Sequence, residues 1–257
     1  MWNNVRVMQK ITAVCAVVAT LGLVYAGVLW AANQSWFAIK NIHIIGDVQH
    51  ISLAQARTHI AQRMSGTFFT ASLLDAKRLV ETLPWVRRAT ITRSWPNTLV
   101  IELQEHAPFA LFNENQVINT HGESFTVNLD ELPGRSQLPF FSGPVDAAAQ
   151  IKDRYQALLT SLRSAPAFTN TRIEKLRLSE RLSWSASLSG GLNLELGRDT
   201  SDEAVLQRLA RLLRYWPSAT HHLGVPTRVD LRYPDGFVFS APGLRTVESP
   251  PKQKKGL

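Results

Sequence analysis

The chain has 257 residues, 45% of them hydrophobic, a formal net charge of +8 and one cysteine, Cys15. That length and apolar content suit one large or two modest domains with real cores. Because Cys15 lies within an uncharged stretch near the N-terminus, disulfides, cysteine metal clusters and thiol catalysis are excluded from everything that follows it.

Residues 1–10 carry Arg6 and Lys10 and no acid, and Ile11–Ala32 then runs without a charged side chain. As a helix this stretch would be roughly 33 Å long, enough for the hydrocarbon core of a bilayer. A cleaved signal peptide would have a shorter apolar core ending at small residues. Here cleavage after Ala32 or Ala31 would place Trp30 or Leu29 at the −3 position. The stretch therefore reads as an uncleaved transmembrane helix. The basic flank keeps residues 1–10 in the cytoplasm, and Trp30 and Trp36 mark the far interface. This predicts a bacterial inner-membrane protein whose body is periplasmic. A body outside the cytoplasm argues against nucleic acid as the target of the basic charge. Lipid head groups or acidic partners fit better, with simple solvation as the plain alternative.

After a polar exit at residues 33–36, Phe37 to Ile45 reads as a strand closed by Gly46-Asp47. Ser52 is the expected cap of a helix, with Gln55 as its capping-box partner. Leu53, Ala56, Ile60, Ala61 and Met64 would share the apolar face of that helix, and Gly66 would end it. Ser72, with Asp75 three residues on, opens a second helix bearing Ala76, Leu79, Val80 and Leu83, with Pro84 after it. Ala89 and Ile91 alternate with polar residues, Pro96-Asn97 turns, and Leu99, Ile101 and Leu103 line one face of a clear strand. The order strand, helix, helix, strand, strand predicts a small α+β domain over residues 37–105.

Residues 106–241 read as a second, larger domain, rich in antiparallel β-structure and holding two helices. Strands are expected at Pro108–Phe112, Gln116–Asn119 and Phe125–Val127, and loop with a buried Phe140-Phe141 over 130–145. A helix over Asp146–Arg163 carries Ile151, Tyr155, Leu158, Leu159 and Leu162 on one face. Strands follow at Ile173–Leu178, Leu182–Leu188 and Leu192–Leu196, with a hairpin at Gly190-Gly191. Ser201 or Asp202 opens another helix. Its inward face is Val205, Leu209, Leu212, Leu213 and Trp216; the opposite face, Arg208, Arg211 and Arg214, reads as solvated, with an acidic partner or lipid as the alternative; and Pro217 ends it. His221-His222 then fall in a loop. Thr227–Arg232 and Phe237–Ser240 are the last strands. Residues 242–257, with three prolines and three lysines, read as a disordered tail.

No phosphate loop, dinucleotide fingerprint or nucleophile elbow is present in the sequence. Glu102 and Glu105 fall on opposite faces of one strand, and Asp199 and Glu203 suit the charge of a helix N-terminus. The residues thus predict no catalytic site, no metal site and no cofactor. What remains is the edge of a sheet, where unpaired backbone groups can accept an added strand. The stretch Gly236-Phe237-Val238-Phe239-Ser240 has no proline or lysine to guard such an edge.

The runs Gly66-Thr67-Phe68-Phe69, Leu83-Pro84-Trp85-Val86-Arg87 and Arg93-Ser94-Trp95-Pro96-Asn97-Thr98-Leu99, placed just after a single anchor, resemble the POTRA domain of the FtsQ/DivIB cell-division family. The resemblance extends more loosely along the rest of the chain. It implies a non-enzymatic, single-pass scaffold at the division septum. Such a scaffold would recruit and control septal cell-wall synthesis, with other divisome contacts made by the POTRA domain. It also implies that the β-domain docks the FtsB/FtsL pair of single-span division proteins by β-augmentation. On Val229-Asp230-Leu231-Arg232-Tyr233 and Asp235-Gly236 this carries over Tyr233, Asp235, Gly236, Phe237, Val238, Phe239 and Ser240 as partner-binding residues. Phe237 and Phe239 stand where small residues are common in that family, and core packing is the competing reading of both. Two other functions are open to such a chain: a POTRA-bearing chaperone for exported β-rich proteins, and an anchored hydrolase, for which no residues speak.

Overall fold

The computed structural model describes residues 5–46, 48–64, 66–199, 204–233 and 236–240. Asp47, Ser201, Asp202, Asp235 and the expected tail 242–257 therefore lie outside the described residues, as does the side chain of Gln55. The chain divides into two compact units after His106.

The first unit opens with α1 (Val5–Ala32), which starts before the expected span and ends where it ends. Among the described residues it is the one helix long and apolar enough to cross a membrane. Residues 8–31 are exposed, so no protein surface covers them. The hydroxyls of Thr12 and Thr20 donate to the carbonyls of Met8 and Ala16 at 2.9 and 2.8 Å. The helix thereby satisfies both threonine hydroxyls internally, as a lipid setting favours.

Strand β1 (Asn41–Ile45), helices α2 (Leu53–Arg63) and α3 (Leu73–Glu81), and strands β2 (Val86–Ser94) and β3 (Thr98–Glu105) complete the unit. The sheet order is β1-β3-β2, with β1 parallel and β2 antiparallel to the central β3. Parallel pairing is open to β1 because α2 and α3 carry the chain back across the sheet before β3 begins. Leu99, Ile101 and Leu103 are all buried, as their alternation predicts. Ile101 and Leu103 meet Ile44, Ala56, Ile60, Val80 and Ala89 in one core. Leu53 and Ala61 depart from the expected face and are exposed, because α2 turns a narrower stripe to the sheet than its apolar residues cover. Ser72 caps α3 as expected, its Oγ accepting from the Asp75 amide at 3.2 Å. Gly46 has φ +133°, and a Cβ there would sit 2.3 Å from the Leu103 carbonyl oxygen, so only glycine lets the chain leave β1 here.

The far end of this unit is closed by Glu105. Its Oε1 accepts from the backbone amides of His50 and Ile51, both at 2.9 Å. Its Oε2 lies 3.1 Å from His50 Nδ1, and the His50 ring stacks on Trp85 at 4.2 Å. Burial alone would raise the Glu105 pKa, but the hydrogen bonds from residues 49–51 outweigh it and hold the carboxyl below its ordinary value. The ionised form is therefore the stabilising one. Its contribution is present above the ordinary carboxylate range and is lost as pH falls through the depressed folded value. Glu105→Ala is expected to destabilise this unit by about 1–3 kcal/mol at neutral pH. In pH-dependent chemical denaturation the gap between variant and parent should close on acidification.

Among the described residues the second unit carries nine strands and two α-helices. In chain order these are β4 (Pro108–Phe112), β5 (Gln116–Asn119), β6 (Ser124–Phe125), β7 (Phe140–Ser142), α4 (Ala148–Arg163), β8 (Ile173–Leu178), β9 (Ser183–Leu188), β10 (Asn193–Arg198), α5 (Ala204–Leu223), β11 (Arg228–Asp230) and β12 (Val238–Ser240). They form one sheet in the order β12-β11-β10-β9-β8-β7-β4-β5-β6. The α+β class holds, but the expected antiparallel sheet is mixed: β4–β7, β7–β8 and β10–β11 pair in parallel. For two of these the cause is visible in the chain order, since α4 lies between β7 and β8 and α5 between β10 and β11. A helical crossover returns the chain to start its next strand in the same direction. The segment read as loop around Phe140 supplies β7; Phe141 within it is buried as expected, whereas Phe140 is half-buried.

Both helices pack on the same cluster. Ile151, Leu158 and Leu162 of α4 and Val205, Leu209, Leu212 and Trp216 of α5 meet Leu176, Trp184, Ala186, Leu194 and Val229 of the sheet. Arg154 pairs with Asp199 and lies over the Trp184 ring at 5.7 Å, while Asp199 Oδ1 accepts from the Val205 amide at 3.2 Å. Asp199 thus serves the start of α5, as its position suggests. Pro217 does not end α5; the helix runs on to Leu223 and includes His221 and His222, which were expected in a loop. Proline removes one helical hydrogen bond and crowds the preceding turn. The turns on either side are held by the buried Trp216 and by the Thr220 hydroxyl, which donates to the Trp216 carbonyl at 2.9 Å.

Candidate functional site

The site that emerges is the end of the nine-stranded sheet formed by β12. It begins with α5, whose arginines are not the solvated row that their spacing suggests. Arg208 donates to the carbonyls of Leu196 and Arg198 at 2.6 and 2.9 Å, closing the end of β10. Gly197 lies between them at a bulge, with φ +78°, and a Cβ there would come within 3.2 Å of the Arg208 guanidinium. Arg211, one turn on, donates to the Tyr233 carbonyl at 2.8 Å and the Gly236 carbonyl at 3.3 Å. It therefore spans the connection from β11 to β12. Only Arg214 of the three is exposed.

The other end of β12 is held by Thr227. Its amide and hydroxyl both donate to the Ser240 carbonyl, at 2.9 and 3.2 Å. Between the two attachments β12 pairs with β11 in the register Val238 opposite Asp230, Phe239 opposite Val229 and Ser240 opposite Arg228. The strand starts at Val238; Gly236 and Phe237, expected within it, precede it.

Alternation then sorts the side chains. Phe239 lies on the face of the buried Val229 and packs on Trp216 with ring centres 6.3 Å apart. Phe237 stands 5.1 Å from Phe239 and 6.4 Å from Tyr215. Both phenylalanines are half-buried against the core. Val238 is 51% exposed, and Tyr233 and Ser240 are exposed as well. Of the residues expected to touch a partner, the structure thus gathers Tyr233, Val238 and Ser240 at an open surface. It turns Phe237 and Phe239 inward, and Asp235 is outside the described residues.

The exposed face beside Val238 is charged but internally paired. Arg228 meets Glu195 at 3.1 Å, and Arg232 meets Asp230 at 2.6 Å. The Arg232 hydrogen bonds outweigh the opposing effect of burial and hold the Asp230 carboxyl below its ordinary value. The edge itself, Val-Phe-Ser, carries no charge, and among the described strands β12 has a neighbour on one side only. Edge strand β2, by contrast, carries Arg87, Arg88 and Arg93, the usual protection against added strands. Among the described residues no group of three or more His, Cys, Asp or Glu side chains could hold a metal ion.

Arg211 was missed in the sequence because its spacing matches a solvated helix face. The signal that could have found it is its place one turn after Arg208 on a helix lying over strand ends. A hydrogen bond from a charged donor is worth roughly 1.5–3 kcal/mol. Arg211→Ala should therefore speed amide exchange of residues 236–240 by roughly tenfold to a hundredfold. Amides of β8 and β9 should keep their protection, as read by hydrogen-exchange mass spectrometry.

Comparison with known families places this geometry. Residues 37–106 match the FtsQ-type POTRA domain, and residues 110–232 match the C-terminal domain of the cell division protein FtsQ/DivIB family. The second match stops just short of the edge at Tyr233–Ser240. The chain is similar to the cell division protein FtsQ of Burkholderia pseudomallei, 36% identical over 99% of this chain and all of that one. It is similar also to that of Bordetella pertussis, 37% identical over 93% of both chains. The cell division protein FtsQ of Thiomonas arsenitoxydans is 32% identical over 94% of this chain and 89% of its own. The chain belongs to the FtsQ/DivIB family of cell-division proteins.

Proposed function

We propose that this chain is a single-span scaffold of the division machinery that acts by binding and positioning. In this reading α1 anchors it in the inner membrane with residues 1–10 in the cytoplasm and both folded units in the periplasm. Residues 37–105 act as the POTRA domain and residues 106–241 as the partner-binding β-domain. The partners are single-span division proteins of the FtsB/FtsL type, docked by strand addition to β12. Through them the chain helps recruit and control septal cell-wall synthesis.

The observation that carries this reading is the presentation of β12. Its ends are clamped by Arg211 and Thr227, its Phe239 is anchored in the core, and its outer side has no neighbour among the described strands. An incoming strand would pay little for ordering an edge already held rigid. Confinement of both partners to one membrane plane would raise their effective concentration further.

The test is capture of a coiled-coil membrane partner by the detergent-solubilised full chain. Val238 pairs with Asp230 through its backbone, so the tests are Val238→Lys and Val238→Glu, which add a charge to the edge and leave the β11–β12 ladder intact. Each should reduce capture at least tenfold while circular dichroism stays unchanged. Phe237 and Phe239 make poorer test positions, because their side chains also support the core. Undiminished capture by a folded Val238→Lys chain would put the docking edge elsewhere. Indiscriminate capture of unfolded β-rich chains would favour the chaperone reading.

A further inference from the structure

The end of the first unit that meets α1 carries a second surface. Three connections converge there: residues 33–40 after α1, residues 66–72 between α2 and α3, and residues 95–97 between β2 and β3. Hydrogen bonds join them. Thr67 Oγ1 donates to the Ala32 carbonyl at 2.6 Å, and the Phe68 amide donates to the Phe37 carbonyl at 2.6 Å. The Lys40 amide donates to the Asn97 carbonyl at 3.0 Å, and Arg93 donates to the Ala71 carbonyl at 2.7 Å. Sheet direction explains the convergence: β1 and β3 both start at this end, and β2 finishes there.

This base displays aromatic rings to the outside. Trp36 is 83% exposed, Trp95 78% and Phe69 51%. Phe37 supports Phe69 edge to face at 5.0 Å. Lys40 and Arg93 are exposed and bonded to the same loops, Lys40 through its amide and Arg93 through its side chain. Trp85, the other tryptophan of the small domain, belongs to the opposite end, stacked on His50.

We infer that this base rests in the lipid head-group layer, with Trp95 and Phe69 joining Trp36 as interfacial anchors that set the tilt of the domain on the bilayer. The inference rests on the reading of α1 as a membrane span. Ala32 ends the apolar stretch and so marks the edge of the hydrocarbon, beyond which the head groups extend roughly 5–7 Å. The loop of Thr67 is bonded to that residue, so the base cannot stand clear of the head groups. Indole and phenyl rings favour that layer, where one side is apolar and the other wet. Basic side chains there meet anionic lipid. Continuity with α1 makes the occupant of this surface lipid and not a protein.

The test uses the full chain labelled with 5-fluorotryptophan, in nanodiscs of phosphatidylethanolamine and phosphatidylglycerol. Fluorine signals are assigned from Trp30→Phe, Trp36→Phe, Trp85→Phe and Trp95→Phe variants. A gadolinium-chelate lipid then broadens signals near the head groups. Trp30, Trp36 and Trp95 should broaden several-fold more than Trp85. If Trp30 broadens and Trp95 does no more than Trp85, the inference is overturned while the anchor stands. If Trp30 also stays sharp, the anchor reading fails and the inference goes with it.

Discussion

Two guanidinium groups on one helix decide what the larger unit can present. Arg208 closes the end of β10, and Arg211 holds the connection into β12 through two carbonyls. Without a charged donor there, those carbonyls would have to find water, and a three-residue strand at the end of a sheet has little else to hold it. The clamp turns a short terminal segment into a fixed edge. Everything proposed for partner binding depends on that edge being held in one place.

The same economy governs the smaller unit. Glu105 gathers the amides of His50 and Ile51 at one end of its sheet. At the other end, Thr67 and Arg93 gather the loops beside α1. Backbone groups that leave a sheet must find partners, and here a few polar side chains supply them. With no disulfide available to staple the loops, these contacts and the two apolar cores carry the stability. The family match and the single long apolar helix are those of a membrane-anchored cell-division protein.

Much of this was legible in residue order. The uncharged run to Ala32, the Ser72 cap, the alternation of Leu99, Ile101 and Leu103, and the strand at Ile173–Leu178 all rest on contacts between near neighbours or on a single exposed-versus-buried periodicity. The errors share a different cause. Leu53 and Ala61 are apolar yet exposed, because the width of the buried stripe is set by the sheet beneath α2. Pro217 continues a helix because Trp216 is packed on both Phe168 and Phe239. The mixed character of the large sheet is written only in which strands become neighbours.

By itself, then, the sequence determined the apolar N-terminal helix, the small α+β domain, most of the strands and the family. Each follows from local periodicity, composition or motif spacing. Only the tertiary structure decided that Arg208 and Arg211 are clamps, that Phe237 and Phe239 face the core while Val238 and Ser240 face outward, and that the aromatic residues 36, 69 and 95 share one end of a domain. Those facts depend on groups far apart in the chain meeting in space. A residue's spacing on its own helix or strand carries no record of what lies across from it.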